Sequence, residues 1–137
     1  MFFKKKNDDK NDDLIKVAAL LIHTAKIDEN FTNKEEGIIE QTLIMIGVNK
    51  ENIKDVIEKG KKAESNANQI LEFTKEVKNM KEENKIKIIE ALWRIIYSND
   101  DADIYETNLM RRLAGLLYID NKTMGYIKTK IKKENSS

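Results

Sequence analysis

The chain carries an approximate copy of itself: Val17 to Lys61 and Ile89 to Lys133 both read as helix, acidic loop, helix, helix. With Leu20, Asp28, Glu35, Val48 and Ile53 as anchors in the first copy, the counterparts are Leu92, Asp100, Glu106, Ile119 and Met124, with one residue missing from the second loop. A long period seen only twice is a supersecondary unit folded against its own copy, because a solenoid needs about three repeats or more to bury a continuous core. The two copies are therefore expected to face each other within one domain.

The residues inside each copy specify helices. There is no proline, there are five glycines in 137 residues, and apolar residues recur at helical spacing throughout. The predicted fold is all-α: a seven-helix bundle made of two internally duplicated three-helix units joined by a connecting helix. The first helix is predicted from about Asp13 to Lys26, with Leu14, Ala18, Leu21, Ile22 and Ala25 on one stripe. The second turns Ile38, Ile39, Thr42, Leu43 and Ile46 inward. A short third helix begins after Asn49, buries Ile53, Val56 and Ile57, and is expected to stop at Gly60. The fourth spaces Ala63, Ala67, Ile70, Thr74 and Val77 along one face and connects the copies. Ile86, Ile89, Leu92, Trp93 and Ile96 give the fifth the heaviest apolar load. Leu109, Met110, Leu113, Leu116 and Leu117 belong to the sixth, and Met124, Ile127 and Ile131 to the seventh. Residues 13–133 form the predicted domain. The tails, 1–12 and 134–137, lack apolar periodicity and are expected to be flexible.

Composition excludes several functions. Lys and Arg total 25 against 24 Asp and Glu, so the chain has no overall basic field of the kind that draws proteins to nucleic acid. The absence of cysteine removes disulfides and thiolate metal sites and fits a reducing compartment, making the cytoplasm the expected location. The longest apolar run, Val17 to Ile22, is six residues, far short of the roughly 18 that span a bilayer. Met1 to Lys6 is charged but has no apolar segment behind it, so it does not read as a signal peptide.

Catalytic patterns find no support. His23 is the only histidine and projects opposite the Leu14, Ala18 and Leu21 stripe, which predicts a surface position. Triad chemistry has no second partner, and no glycine-rich phosphate loop occurs. The chain is expected not to be an enzyme.

Charge is instead concentrated in two loops, Ile27 to Glu36 and Asn99 to Glu106, each with four acidic residues. Several hard oxygens from a short loop suit calcium, but the EF-hand pattern fails. Starting at Asp28 puts Asn33 at the turn-glycine position and Ile39 at the bidentate glutamate; starting at Asp101 puts Glu106 and Arg112 there. Helix capping explains part of the pattern, since Thr32 with Glu35 and Asp103 with Glu106 have capping-box spacing, and negative charge there suits the helix dipole. Capping does not require Asp28, Glu29, Asp100 or Asp101, which lie upstream. The acidic set is thus either caps and solvated loop, or a site for a cation or a basic partner. All-oxygen ligation would select Mg, Ca or Mn over zinc.

Three other surfaces qualify for partners. Phe2, Phe3, Lys4, Lys5 and Lys6 pair aromatic anchors with cations, a cluster that gives marginal contact with anionic lipid at best. Lys128, Lys130, Lys132 and Lys133 form a basic end that complements a helix dipole. Trp93 and Tyr97 read as core rather than as a ligand cage.

The run Ala18 to Asp28 followed by Glu35, and the run Ala91 to Asp100 followed by Glu106 and Arg111 to Leu117, resemble the TerB-like domains associated with bacterial tellurite resistance, which also occur in membrane-anchored DnaJ-like co-chaperones. The resemblance covers nearly the whole chain. It implies an all-helical, duplicated domain whose halves each carry an acidic loop, usually Asp-Gly followed by a glutamate. Asp28 and Asp100 match the aspartate, and Glu35 and Glu106 the glutamate. The glycine is replaced by Glu29 in one loop and Asp101 in the other, adding charge that favours cations. The co-chaperone branch would require a His-Pro-Asp motif, which a chain without proline lacks.

The resemblance implies a non-enzymatic binding or scaffold domain in bacterial stress response, with Asp28, Glu29, Glu35, Asp100, Asp101, Asp103 and Glu106 as candidate ligands for Ca, Mg or Mn. The alternative is a metal-independent structural adaptor that binds a basic protein partner, with the inner membrane surface as one place for it to act.

Overall fold

Two helices carry most of the wholly buried side chains and sit at the centre of the molecule. The computed structural model describes the backbone at residues 2–27, 32–67, 70–98 and 104–136, and the side chains at 13–27, 32–67, 70–98 and 108–134. The first central helix, α1, spans Phe2–Ala25. Its run from Val17 to Leu21 is wholly buried, each residue 0% exposed. The single stripe predicted for this helix is therefore too narrow, because a helix surrounded by neighbours buries all its faces. The second central helix, α5, spans Glu82–Tyr97 and buries Ile88, Ile89, Ala91, Leu92, Trp93, Ile95, Ile96 and Tyr97.

The remaining helices wrap this pair. They are α2 (Asn33–Met45), α3 (Ile53–Asn66), α4 (Leu71–Lys78), α6 (Ile104–Leu116) and α7 (Asn121–Ser136), with a 3-10 turn at Lys50–Asn52. Helices α3 and α4 lie against α1, α7 lies against α5, α2 bridges both central helices, and α4 touches α6. Among the described residues all regular structure is helical, with seven α-helices, and no helix is long and apolar enough to cross a membrane.

Several predicted boundaries differ: α1 begins at Phe2 rather than near Asp13, and α7 runs on to Ser136. Gly60 does not stop the third helix: α3 continues to Asn66, and Gly60 is buried inside it. A Cβ built on Gly60 would lie 2.9 Å from the Ala18 Cβ and 3.3 Å from the Ala19 backbone nitrogen, so glycine is what allows α3 to approach α1 this closely. The predicted fourth helix is split, because Ala63 belongs to α3 and Ala67 ends that helix in an extended conformation (φ −86°, ψ 141°). Ser65 and Asn66, whose short polar side chains compete with the backbone for hydrogen bonds, weaken the helix at that point.

Helices α2 and α6 end in the same way. Beyond α2, the Val48 amide donates to the Leu43 carbonyl at 2.9 Å and the Gly47 amide to Ile44 at 3.2 Å. Beyond α6, the Ile119 amide donates to Ala114 at 2.9 Å and the Tyr118 amide to Gly115 at 3.3 Å. These are paired six-to-one and five-to-two bonds of Schellman type, closed by the buried Val48 and Ile119. The turn residue has positive φ in both, 126° at Gly47 and 58° at Tyr118. Gly47→Ala is expected to lower stability by about 1–3 kcal/mol, because a φ so far into the positive region is accessible essentially only to glycine. Urea unfolding followed by circular dichroism checks this, and an unchanged midpoint would contradict it.

Candidate functional site

The acidic residues do not all fall within the described structure. Asp28, Glu29, Asp100, Asp101 and Asp103 lie outside the described residues, as does the predicted Asp103 cap. Glu106 is in the first turn of α6, but its side chain is outside the described set. Glu35 is fully described and anchors the site.

Thr32 is the N-cap of α2, in an extended conformation (φ −86°, ψ 163°), and Glu35 is its N3 residue. The Glu35 amide donates to Thr32 Oγ1 at 3.2 Å, and the Thr32 amide donates to Glu35 Oε1 at 3.0 Å. The Thr32 hydroxyl also donates to Glu35 Oε1, at 2.8 Å. This is the capping box expected from the sequence, and it satisfies helix-terminal N–H groups that would otherwise lack partners.

The box occupies only one of the two carboxylate oxygens. Glu35 is 1% exposed, and its Oε2 is buried with no hydrogen-bond partner among the described residues. Leaving a buried acceptor unsatisfied costs roughly 1–3 kcal/mol, and more for a charged group. The free oxygen lies in the first turn of α2, on one of the four acidic residues counted in the first acidic loop. As a hard donor it fits Ca, Mg or Mn. Among the described residues no three His, Asp or Glu side chains gather as a metal cluster.

The other surfaces are largely engaged. Trp93 is core as expected: it is 2% exposed, stacks on Tyr97 with ring centroids 5.7 Å apart, and its Nε1–H donates to Met124 Sδ at 3.3 Å. Burial pushes the Tyr97 phenol above its ordinary pKa. In the basic end, Lys130 pairs with Glu90 at 2.8 Å and Lys128 Nζ lies 5.3 Å from the centre of the Trp93 ring. Arg94 Nε donates to Glu134 Oε2 at 2.8 Å, a bond that lowers the Glu134 pKa and raises that of Arg94. The side chains of Phe2, Phe3, Lys4, Lys5 and Lys6 are outside the described residues.

His23 is not a simple surface residue. It is half-buried, with Nδ1 3.3 Å from Glu64 Oε1, while Lys26 Nζ donates to Glu64 Oε2 at 2.7 Å. Sequence reasoning did not single out Glu64, because its partners lie on a different helix and no local spacing links them.

An all-α bundle with a buried acidic cap at the edge of an acidic loop is the class of domain that this geometry defines. The family model for tellurite resistance protein TerB matches residues 14–129. The chain belongs to that family. No curated protein and no solved structure gives a significant match.

Proposed function

We propose that this chain is a non-enzymatic binding module of the tellurite-resistance type, acting in bacterial stress response in the cytoplasm, whose two acidic loops hold a divalent cation. The observation that carries the reading is Glu35: its Oε1 is used by the capping box, and its Oε2 is buried without a partner among the described residues. A cation supplied with further oxygens from Asp28 and Glu29 would relieve that unmet acceptor, because calcium takes 6–8 oxygen ligands, carboxylates and waters among them. Asp100, Asp101, Asp103 and Glu106 are the corresponding groups in the second half.

The sequence repeat supports a pairing of the loops. The Schellman-type turns after α2 and α6 put Val48 and Ile119, residues matched by the sequence repeat, in the same hydrogen-bonded position. Helices α1 and α5, which begin the two units, are the two central helices. Two units related in this way can bring like-charged loops to one surface, where the cation offsets their repulsion.

Calorimetric titration with calcium and with manganese tests this. The native chain is expected to bind saturably, and Asp28→Asn combined with Asp100→Asn to abolish binding while leaving the helical circular dichroism intact. Glu35→Gln keeps a side chain that can complete a capping box, so it is expected to weaken the cation at least tenfold with a stability change under about 1 kcal/mol. Unchanged affinity in the double variant would overturn the cation site. Capture of a basic protein that weakens with salt and needs no metal would then favour the adaptor reading.

A further inference from the structure

A cavity of about 250 Å³ opens where α1, α3, α4 and α6 meet. Its apolar wall is Ala67, Ile70, Phe73 and Leu109, of which Ile70 and Phe73 are 6% and 2% exposed. Its polar side is His23, Glu64 and Arg112. Polar groups converging opposite an apolar wall in a half-open cleft can fix the orientation of a small ligand.

The charges on the polar side are unequal. Glu64 is committed, since one oxygen faces His23 Nδ1 at 3.3 Å and the other accepts from Lys26 Nζ at 2.7 Å. Arg112 is exposed and has no ion-pair partner among the described residues. Lys26 and Arg112 against Glu64 leave one surplus positive charge beside the cavity. A guanidinium presents a planar fork of donors that matches a carboxylate bidentately. The volume lies just below the range of about 300–1,000 Å³ that accommodates drug-sized ligands, so the occupant is small.

We infer that this cavity binds a small monocarboxylate with a compact apolar body, an aryl or branched-chain acid, with the carboxylate on Arg112 and the body against Phe73 and Ile70. The Glu64 contact with Nδ1 orients the His23 ring and leaves Nε2 as a second polar contact for the ligand. The site uses none of the acidic loop residues and stands or falls separately from the cation reading.

Amide NMR titration of the full chain with phenylacetate tests it, with 2-phenylethanol and inorganic phosphate titrated separately. Phenylacetate is expected to saturate at roughly 0.1–1 mM, a range set by what a ligand of this size can gain per atom, with shifts centred on His23, Phe73 and Arg112. The neutral alcohol, which keeps the ring and loses the charge, is expected to bind at least tenfold more weakly, as is phosphate, which lacks the apolar body. Arg112→Gln, a change at an exposed side chain, is expected to reduce phenylacetate affinity at least tenfold without moving the melting temperature. Phe73→Leu, which thins the apolar wall, gives an independent reduction. Absence of saturation by phenylacetate, equal binding of the alcohol or of phosphate, or full affinity in Arg112→Gln would each overturn the assignment.

Discussion

Trp93→Ala is expected to lower the unfolding free energy by about 3–5 kcal/mol, the range for deleting a large aromatic side chain from a packed core. The ring is 2% exposed, stacks on Tyr97, donates its N–H to Met124 and lies beneath Lys128. Removing it opens a void between α5 and α7 and strands the Met124 sulfur without its donor. Native domains have about 5–15 kcal/mol in total, so the variant would be marginal near physiological temperature. Trp93→Phe retains most of the ring volume and is expected to cost far less. Urea melts of the two variants, compared at equal slope, separate packing from other roles: a loss under about 1 kcal/mol in Trp93→Ala would mean that the ring does not support the core.

The second large effect is expected at Gly60. Alanine inside a helix normally gains about 1 kcal/mol over glycine, but here the new Cβ would meet the Ala18 Cβ at 2.9 Å, the Ala19 nitrogen at 3.3 Å and Ile22 Cδ1 at 3.3 Å. Two of these contacts are with the short, stiff part of α1, which cannot yield as the end of a long side chain can. Overpacking of this kind costs typically 1–3 kcal/mol, so Gly60→Ala is expected to be destabilising despite its better helix propensity. Gly60→Val adds two methyl groups to the same clash and is expected to cost about 3 kcal/mol or more, by forcing α3 away from α1. Gly37, in α2, has open space around its Cβ position, so Gly37→Ala is expected to gain up to about 1 kcal/mol. Thermal melts of the three variants make the comparison, and a stabilised Gly60→Ala would show that the helices are not in close contact.

Much of the architecture was legible from the chain. Apolar spacing located the core of each helix, from Ile39 and Leu43 in α2 to Met124, Ile127 and Ile131 in α7, because burial of one face leaves a local periodic mark. The Thr32 and Glu35 cap was legible for the same reason, since both partners lie within one helical turn. The heavy apolar load of α5 was legible too, and its buried residues account for it. The role of α1 was understated, as its unbroken Val17 to Ile22 run has no polar face with which to set a direction.

Relations between helices left no such mark. Glycine at position 60 is the same residue whether it ends a helix or lies between two, and only the approach of Ala18 decides which. The break between Asn66 and Leu71 arises without proline or glycine, so the usual punctuation was missing. His23 projected away from the core stripe of its own helix, yet Glu64 on α3 half-buries it and Arg112 on α6 shares its cavity.

The sequence by itself therefore determined the all-helical class, the buried faces of helices such as α2 and α7, and the acidic cap of α2, because each depends on residues within a turn or two of one another. The tertiary structure alone decided the close contact at Gly60, the partner of His23, the cavity beside Arg112 and the unmet Glu35 oxygen. Each of these depends on what a neighbouring helix presents across the gap, and that distance in space has no counterpart in sequence spacing.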